Sequence, residues 1–148
     1  MNQRQLKTIL FDLDGTLADT APDLADALNT VLINNGKTAL PFEQIRPMVS
    51  HGGMALVRLG FGIEPDHPEF EPLRQQLLNI YANGIANKTR LFPGMAELLN
   101  SIETAGMNWG VVTNKPAWLT TPLLDALQLS QRAVSIVSGD TLAERKPH

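Results

Sequence analysis

From Leu91 onward the apolar residues alternate between a helical and an extended period, a pattern that a parallel α/β sheet satisfies and an all-helical or all-β fold does not. Met95, Leu98, Leu99 and Ile102 recur on one helical face and stop at Gly106, and Trp109 to Val112 then reads as a strand. Pro116 to Leu127 reads as a second helix, with Pro122 a possible kink point, and Ala133 to Val137 as a second strand.

The N-terminal end supplies another strand of the same kind. Thr8 to Leu13 is a short β-branched and apolar run stopped by Asp14 and Gly15, as expected of a buried strand that ends in a turn. From Pro22 the period becomes helical, with Leu24, Leu28, Val31 and Leu32 on one face, Thr20 as the expected N-cap and Gly36 beyond the end. Short helical stretches follow near Phe42 to Arg46 and Met54 to Leu59, separated by Pro47 and the pair Gly52 and Gly53. A longer one from Pro68 carries Phe70, Leu73, Leu77, Ile80 and Tyr81 on its stripe. The expected fold class is therefore α/β. A three-layer, Rossmann-like parallel-sheet core made of residues 1–18 and 92–148 is interrupted by an all-helical domain of residues 19–91, and Phe92, Pro93 and Gly94 mark the re-entry hinge.

Composition narrows the chemistry. With 43% hydrophobic and 18% charged residues over 148 positions, the chain has the balance of a globular domain. The absence of cysteine excludes disulfides, thiolate zinc sites and a thiol nucleophile, so any nucleophile is oxygen or nitrogen. Twelve Lys and Arg against 15 Asp and Glu give a net charge of −3 with no long basic run, which argues against nucleic acid and anionic membranes as partners. The apolar stretch near the N-terminus is too short for a signal-peptide core or a membrane span, and a cytoplasmic protein is expected. The sequence carries no signal for an oligomeric state.

Ligands of open parallel sheets collect outside the carboxyl ends of the strands, and here all three strand ends are polar. The first carries Asp12, Asp14, Gly15 and Thr16, the second Thr113, Asn114 and Lys115, the third Ser138, Gly139 and Asp140 with Lys146 soon after. Two carboxylates, a hydroxyl and two lysines suit phosphoryl transfer. A carboxylate such as Asp12 attacks phosphorus to give an aspartyl phosphate, splitting one hard displacement into two easier ones. A second carboxylate two residues on, Asp14, protonates the leaving alkoxide and then deprotonates the attacking water. Gly15 permits the turn between them, and Thr113 with backbone amides would hold the phosphoryl oxygens. Because phosphate and carboxylate repel each other, a magnesium ion held by Asp12 and the neighbouring backbone carbonyl, with Asp14 also a candidate at the metal, is expected as cofactor, and a lysine helps.

The run DLDGTLADT after one apolar strand, TNKP after another and the lysine of ERKP resemble the first three motifs of the haloacid dehalogenase superfamily of phosphatases. What the resemblance implies is Asp12 as nucleophile and magnesium ligand, Asp14 as acid/base and Thr113 as phosphate donor; Asn114 and Gly15 are further candidates for the phosphate site. It also implies Lys146 as the charge that stabilises nucleophile and phosphate. The helical insertion is similar to that superfamily's cap domain. APDL after the first motif, SHGGMALV, LFPGMAELL and NWGVVTNKP look most like the phosphoglycolate and N-acetylmuramic acid 6-phosphate phosphatases, which implies a small carboxylated phosphate ester as substrate. Family members carry a fourth acidic motif beyond the lysine. A sequence ending at His148 is therefore expected to be shortened at its C-terminus, and an inactive fragment with weak magnesium binding is one reading of it.

Other readings stand beside these. An EF-hand loop starting at Asp12 fails, because its sixth position is Leu17 and its twelfth Asp23. A phosphorylatable receiver module also gathers acidic residues, Thr and Lys at strand ends, but it needs its acceptor on a middle strand and has no room for the long insertion. The Thr113–Lys115 turn would equally cap the following helix. In the insertion, His51, Gly52 and Gly53 form either a substrate-facing loop or a plain helix–helix turn. Arg46 and Arg58 would pair with a substrate carboxylate or simply be solvated. Trp109, Trp118, Tyr81 and the methionines are expected to pack, and His67 to lie in a loop.

Overall fold

The computed structural model describes residues 6–148. Its elements in chain order are β1 (Thr8–Phe11), β2 (Ala18–Asp19), α1 (Ala21–Asn34), α2 (Phe42–Ile45), α3 (Gly52–Phe61), α4 (Phe70–Asn83), β3 (Arg90–Leu91), α5 (Met95–Thr104), β4 (Asn108–Val112), α6 (Ala117–Ala126) and β5 (Ser135–Val137). A 3₁₀ helix, Arg46–His51, joins α2 to α3. Two compact units result, one of Met1–Ala18 with Leu91–His148 and one of Asp19–Arg90. Leu91 thus falls with the sheet. No helix among the described residues is long and apolar enough to cross a membrane.

In the first unit β1, β4 and β5 form a parallel sheet in the order β1-β4-β5, with Phe11 opposite Val111 and Val112 opposite Val137; the short β2 and β3 make a separate two-stranded sheet. β1 ends two residues earlier than its apolar run suggests. At Leu13 the chain already turns, with that residue's carbonyl accepting the N–H groups of Thr16, Leu17 and Ala18, so an apolar side chain continues the core after the ladder has stopped. Trp109 is fully buried and meets the Phe11 ring edge-on, centroids 6.3 Å apart. Its indole N–H donates to Glu103 of α5 at 2.8 Å, and Glu103 also accepts from Arg132 at 3.0 Å. The Arg132 contact and then the indole hold the Glu103 carboxyl below its ordinary range. Trp118, expected to pack, is instead exposed near the start of α6, and α6 runs on through Pro122.

The second unit is all helical apart from its strand ends. Leu24, Leu28, Val31 and Leu32 of α1 are buried, as are Phe70, Leu73, Leu77 and Tyr81 of α4. Ile80 is only half-buried and Met54 is exposed, so neither belongs to the core. Thr20 precedes α1 without a side-chain capping bond, its carbonyl accepting the Leu24 N–H at 3.2 Å; it is buried, and the Asp19 carboxylate accepts the Ala21 N–H at 3.4 Å. Gly52 and Gly53, expected to separate two helices, form the first turn of α3, where Gly53 lies against Leu78 of α4.

Candidate active site

Both acidic residues stand where β1 gives way to its turn. Gly15 holds φ at 79°, a value side-chain-bearing residues adopt at a cost, and its N–H donates to Ala18. Leu13 is buried while Asp12 and Asp14 on either side of it reach the surface, Asp12 the more openly. The inward apolar residue thus fixes the backbone that presents the two carboxylates.

At the end of β4, Thr113 is buried, and its N–H donates to the Val137 carbonyl at 2.9 Å. Its hydroxyl accepts the Lys115 N–H at 3.1 Å, which tightens the turn. The Lys115 ammonium meets Asp14 Oδ1 at 2.8 Å with both side chains largely enclosed. Asn114 donates its amide N–H to the Lys146 carbonyl at 3.1 Å. Lys146 in turn donates to Asp12 Oδ1 at 2.8 Å and to the Val112 carbonyl at 2.7 Å. One strand end therefore organises the lysine of each carboxylate.

The segment after β5 locks against that turn. The Gly139 N–H donates to the Lys115 carbonyl at 2.9 Å, and a Cβ at Gly139 would collide with the Asn114 carbonyl, so only glycine fits. Asp140 accepts the Ala117 N–H at 2.8 Å and so caps α6 from outside the helix. The capping alternative for the Thr113–Lys115 turn does not hold: Thr113 bonds within its own turn, and the α6 terminus is served by Asp140.

Asp12, Asp14, Gly15, Thr113, Asn114 and Lys146 accordingly come together in the first unit. Asn114, expected to touch a ligand, is engaged with the Lys146 backbone. The sequence groups Lys115 with the strand-end residues that suit phosphoryl transfer but does not point to its partner, which lies 101 residues away, and it gives no role to Asp140. His51, Gly52, Gly53 and Arg58 lie in the helical unit. His51 ends the 3₁₀ helix, and Arg58 pairs with Glu64 at 2.8 Å, both exposed. Arg46 makes a two-pronged pair with Asp19, 2.9 and 3.2 Å. His67 lies in the loop before α4 and accepts the Glu69 N–H.

The donor set suits magnesium in kind. Among the described residues no three acidic or histidine side chains gather as a ligand group, yet this ion characteristically takes one or two carboxylates and fills its octahedron with water and substrate phosphate. Asp12 and Asp14 meet that requirement.

Residues 9–148 match the haloacid dehalogenase-like hydrolase family. The chain is 40% identical over 147 residues to the N-acetylmuramic acid 6-phosphate phosphatase of Pseudomonas aeruginosa, covering 99% of this chain and 65% of that protein. It is likewise 40% identical over 142 residues to the phosphoglycolate phosphatase of Xanthomonas campestris, covering 96% of this chain and 64% of the relative. A crystal structure of a predicted phosphoglycolate phosphatase from Haemophilus somnus superposes with a TM-score of 0.85 at 29% identity, over 99% of this chain and 68% of that one. The chain thus spans just under two thirds of the curated relatives it matches. A match over nearly the whole sequence, on a parallel sheet whose first strand ends in Asp12 and Asp14, makes the chain a member of the haloacid dehalogenase-like hydrolases.

Proposed function

We propose that this protein hydrolyses phosphomonoesters through an aspartyl phosphate on Asp12. The observation that carries the reading is a pair of carboxylates two residues apart at a strand end, each met by its own lysine at 2.8 Å. A Asp12 carboxylate oxygen attacks phosphorus, the ester P–O bond breaks, and Asp14 gives its proton to the departing alkoxide. Water then attacks the phosphoaspartate while Asp14 takes a proton back, and the bond from the Asp12 oxygen to phosphorus breaks to release phosphate and restore the Asp12 carboxylate and the protonated Asp14. Lys146 offsets the charge that gathers between Asp12 and the phosphoryl group, and the Thr113 turn presents its donors to the phosphoryl oxygens. A magnesium ion held by the Asp12 carboxylate would supply further positive charge at those oxygens.

In the same reading the sheet unit is a three-layer catalytic core, and residues 19–91 are a cap domain whose His51, Gly52, Gly53 and Arg58 help choose the ester. The names of the relatives support a small carboxylated substrate, phosphoglycolate or N-acetylmuramic acid 6-phosphate. Asp12→Asn is expected to lower turnover on the order of 10⁴-fold or more, since it removes the covalent nucleophile. Rapid quenching with labelled substrate should trap phosphate on Asp12. Near-wild-type turnover in the variant, or label on another residue, would overturn the mechanism.

A further inference from the structure

Lys115 is an unusual residue to enclose at the mouth of a sheet. Its side chain is 7% exposed and that of its partner Asp14 is 16% exposed. Enclosing such a pair brings little net stability over an apolar pair of the same size, because the desolvation of both charges offsets their attraction. A contact of this kind is better explained by the geometry it imposes.

That geometry is fixed from both ends. The Lys115 backbone is held on three sides: its N–H by the Thr113 hydroxyl, and its carbonyl by the Gly139 N–H at 2.9 Å and the Thr120 hydroxyl at 3.2 Å. Asp14 springs from the turn that the Leu13 carbonyl closes. The ammonium then meets Asp14 at one named oxygen, Oδ1, at 2.8 Å. Lys146, by contrast, is more exposed and reaches the other carboxylate, Asp12. The two lysines therefore divide the two carboxylates between them.

From this arrangement we infer that Lys115 is the positioning residue of the acid/base Asp14: it sets the direction in which that carboxylate presents its proton to the leaving oxygen, and it does not itself touch the phosphoryl group. The inference rests on the phosphoryl-transfer reading above and assigns within it a role that Lys146 does not fill. Its consequence is selective. An alkoxide leaving group needs a proton as the ester bond breaks, whereas p-nitrophenolate departs as the anion, so a misdirected Asp14 should harm only the first. A displacement of about 1 Å in a reacting group can lower a rate on the order of 10²-fold.

The test compares kcat/KM for phosphoglycolate and p-nitrophenyl phosphate, a ratio that reports the reaction only up to departure of the alcohol. In Lys115→Met the value for phosphoglycolate is expected to fall on the order of 10²-fold, and that for the nitrophenyl ester by less than about threefold. Lys115→Arg, which keeps the charge, should recover most of the alkyl-ester activity. A second readout needs no turnover: acetic anhydride should label Lys115 far more slowly than the exposed Lys88, and Asp14→Ala should speed labelling of Lys115 alone. Equal losses on both esters, no loss on either, or Lys115 labelled as fast as Lys88 in the unaltered protein would overturn the inference while leaving Asp12 as nucleophile. An unaltered protein that hydrolyses neither ester would remove the phosphatase reading and this role with it.

Discussion

A carboxylate only 4% exposed has to find donors within the fold, and Asp23 finds them 65 and 66 residues downstream. Its oxygens accept the N–H groups of Lys88 and Thr89 at 2.9 to 3.0 Å and the Thr89 hydroxyl at 2.7 Å. Asp23 also lies in the first turn of α1, where the helix dipole favours negative charge. The segment leading out of the helical unit is thereby tied to the helix that begins it. Asp23→Ala strands two backbone donors and a hydroxyl, and it should lower the stability of that unit by roughly 2–5 kcal/mol. Denaturant titration checks this, and a change below about 0.5 kcal/mol would mean that water replaces the carboxylate at no cost. Asp23 was not legible as such in the sequence: beside Pro22 and Leu24 it reads as one more polar residue on an amphipathic helix. Asp12 and Asp14 were legible because they flank an apolar residue where an apolar run stops at Gly15, although β1 itself is not the buried strand that run suggests: Thr8 and Leu10 are exposed and only Phe11 is buried. The partners of Lys115 and Asp140 were hidden for the same reason as those of Asp23, since each pair joins distant positions that no local period relates.

At the scale of elements, one acid links α5 to β4. Glu103 bridges the Trp109 indole and the Arg132 guanidinium, and both lower its proton affinity in the folded chain. A carboxyl whose folded value lies below its unfolded one contributes stability that is present above the unfolded value, and that stability is lost as pH falls through the folded value. The sheet unit should therefore lose stability on acidification below the ordinary glutamate value of 4.5, and Glu103→Gln should flatten that portion of the pH profile. Tryptophan fluorescence across a denaturant series at several pH values measures it; an unchanged profile in the variant would assign the acid sensitivity to other groups. The existence and order of β1, β4, β5 and the longer helices followed from hydrophobic period and the Gly and Pro stops, while their ends did not, and the two-residue β2 and β3 left no signal. β1 stops at Phe11 because the Leu13 carbonyl is taken by a turn, and α3 begins at Gly52 because Gly53 packs on Leu78 instead of breaking the chain. Trp118 shows the converse: a helical stripe gives the period, and which residues of that helix face the core depends on neighbours the stripe does not encode.

At the scale of the molecule, each unit has buried apolar residues and an aromatic reporter of its own. Leu13, Leu17, Trp109, Val111, Leu119 and Leu123 are buried in the sheet unit, and Leu28, Ile45, Leu56, Leu77 and Tyr81 in the helical one. Both tryptophans of the chain belong to the first unit and its one tyrosine to the second. The chain passes between them only at Ala18–Asp19 and Arg90–Leu91. Cooperativity in folding comes from a shared core, and two compact units joined by two chain crossings are not bound to melt together. Unfolding followed through Trp109 fluorescence and through the Tyr81 ring resonances is therefore expected to give two midpoints in denaturant. Asp23→Ala sharpens the experiment, because it removes hydrogen bonds that lie wholly within the helical unit. It should move the tyrosine midpoint to lower denaturant and leave the tryptophan midpoint in place. If both probes trace one curve, and the variant shifts that curve as a whole, the chain unfolds as one cooperative body and the helical insertion draws its stability from the sheet.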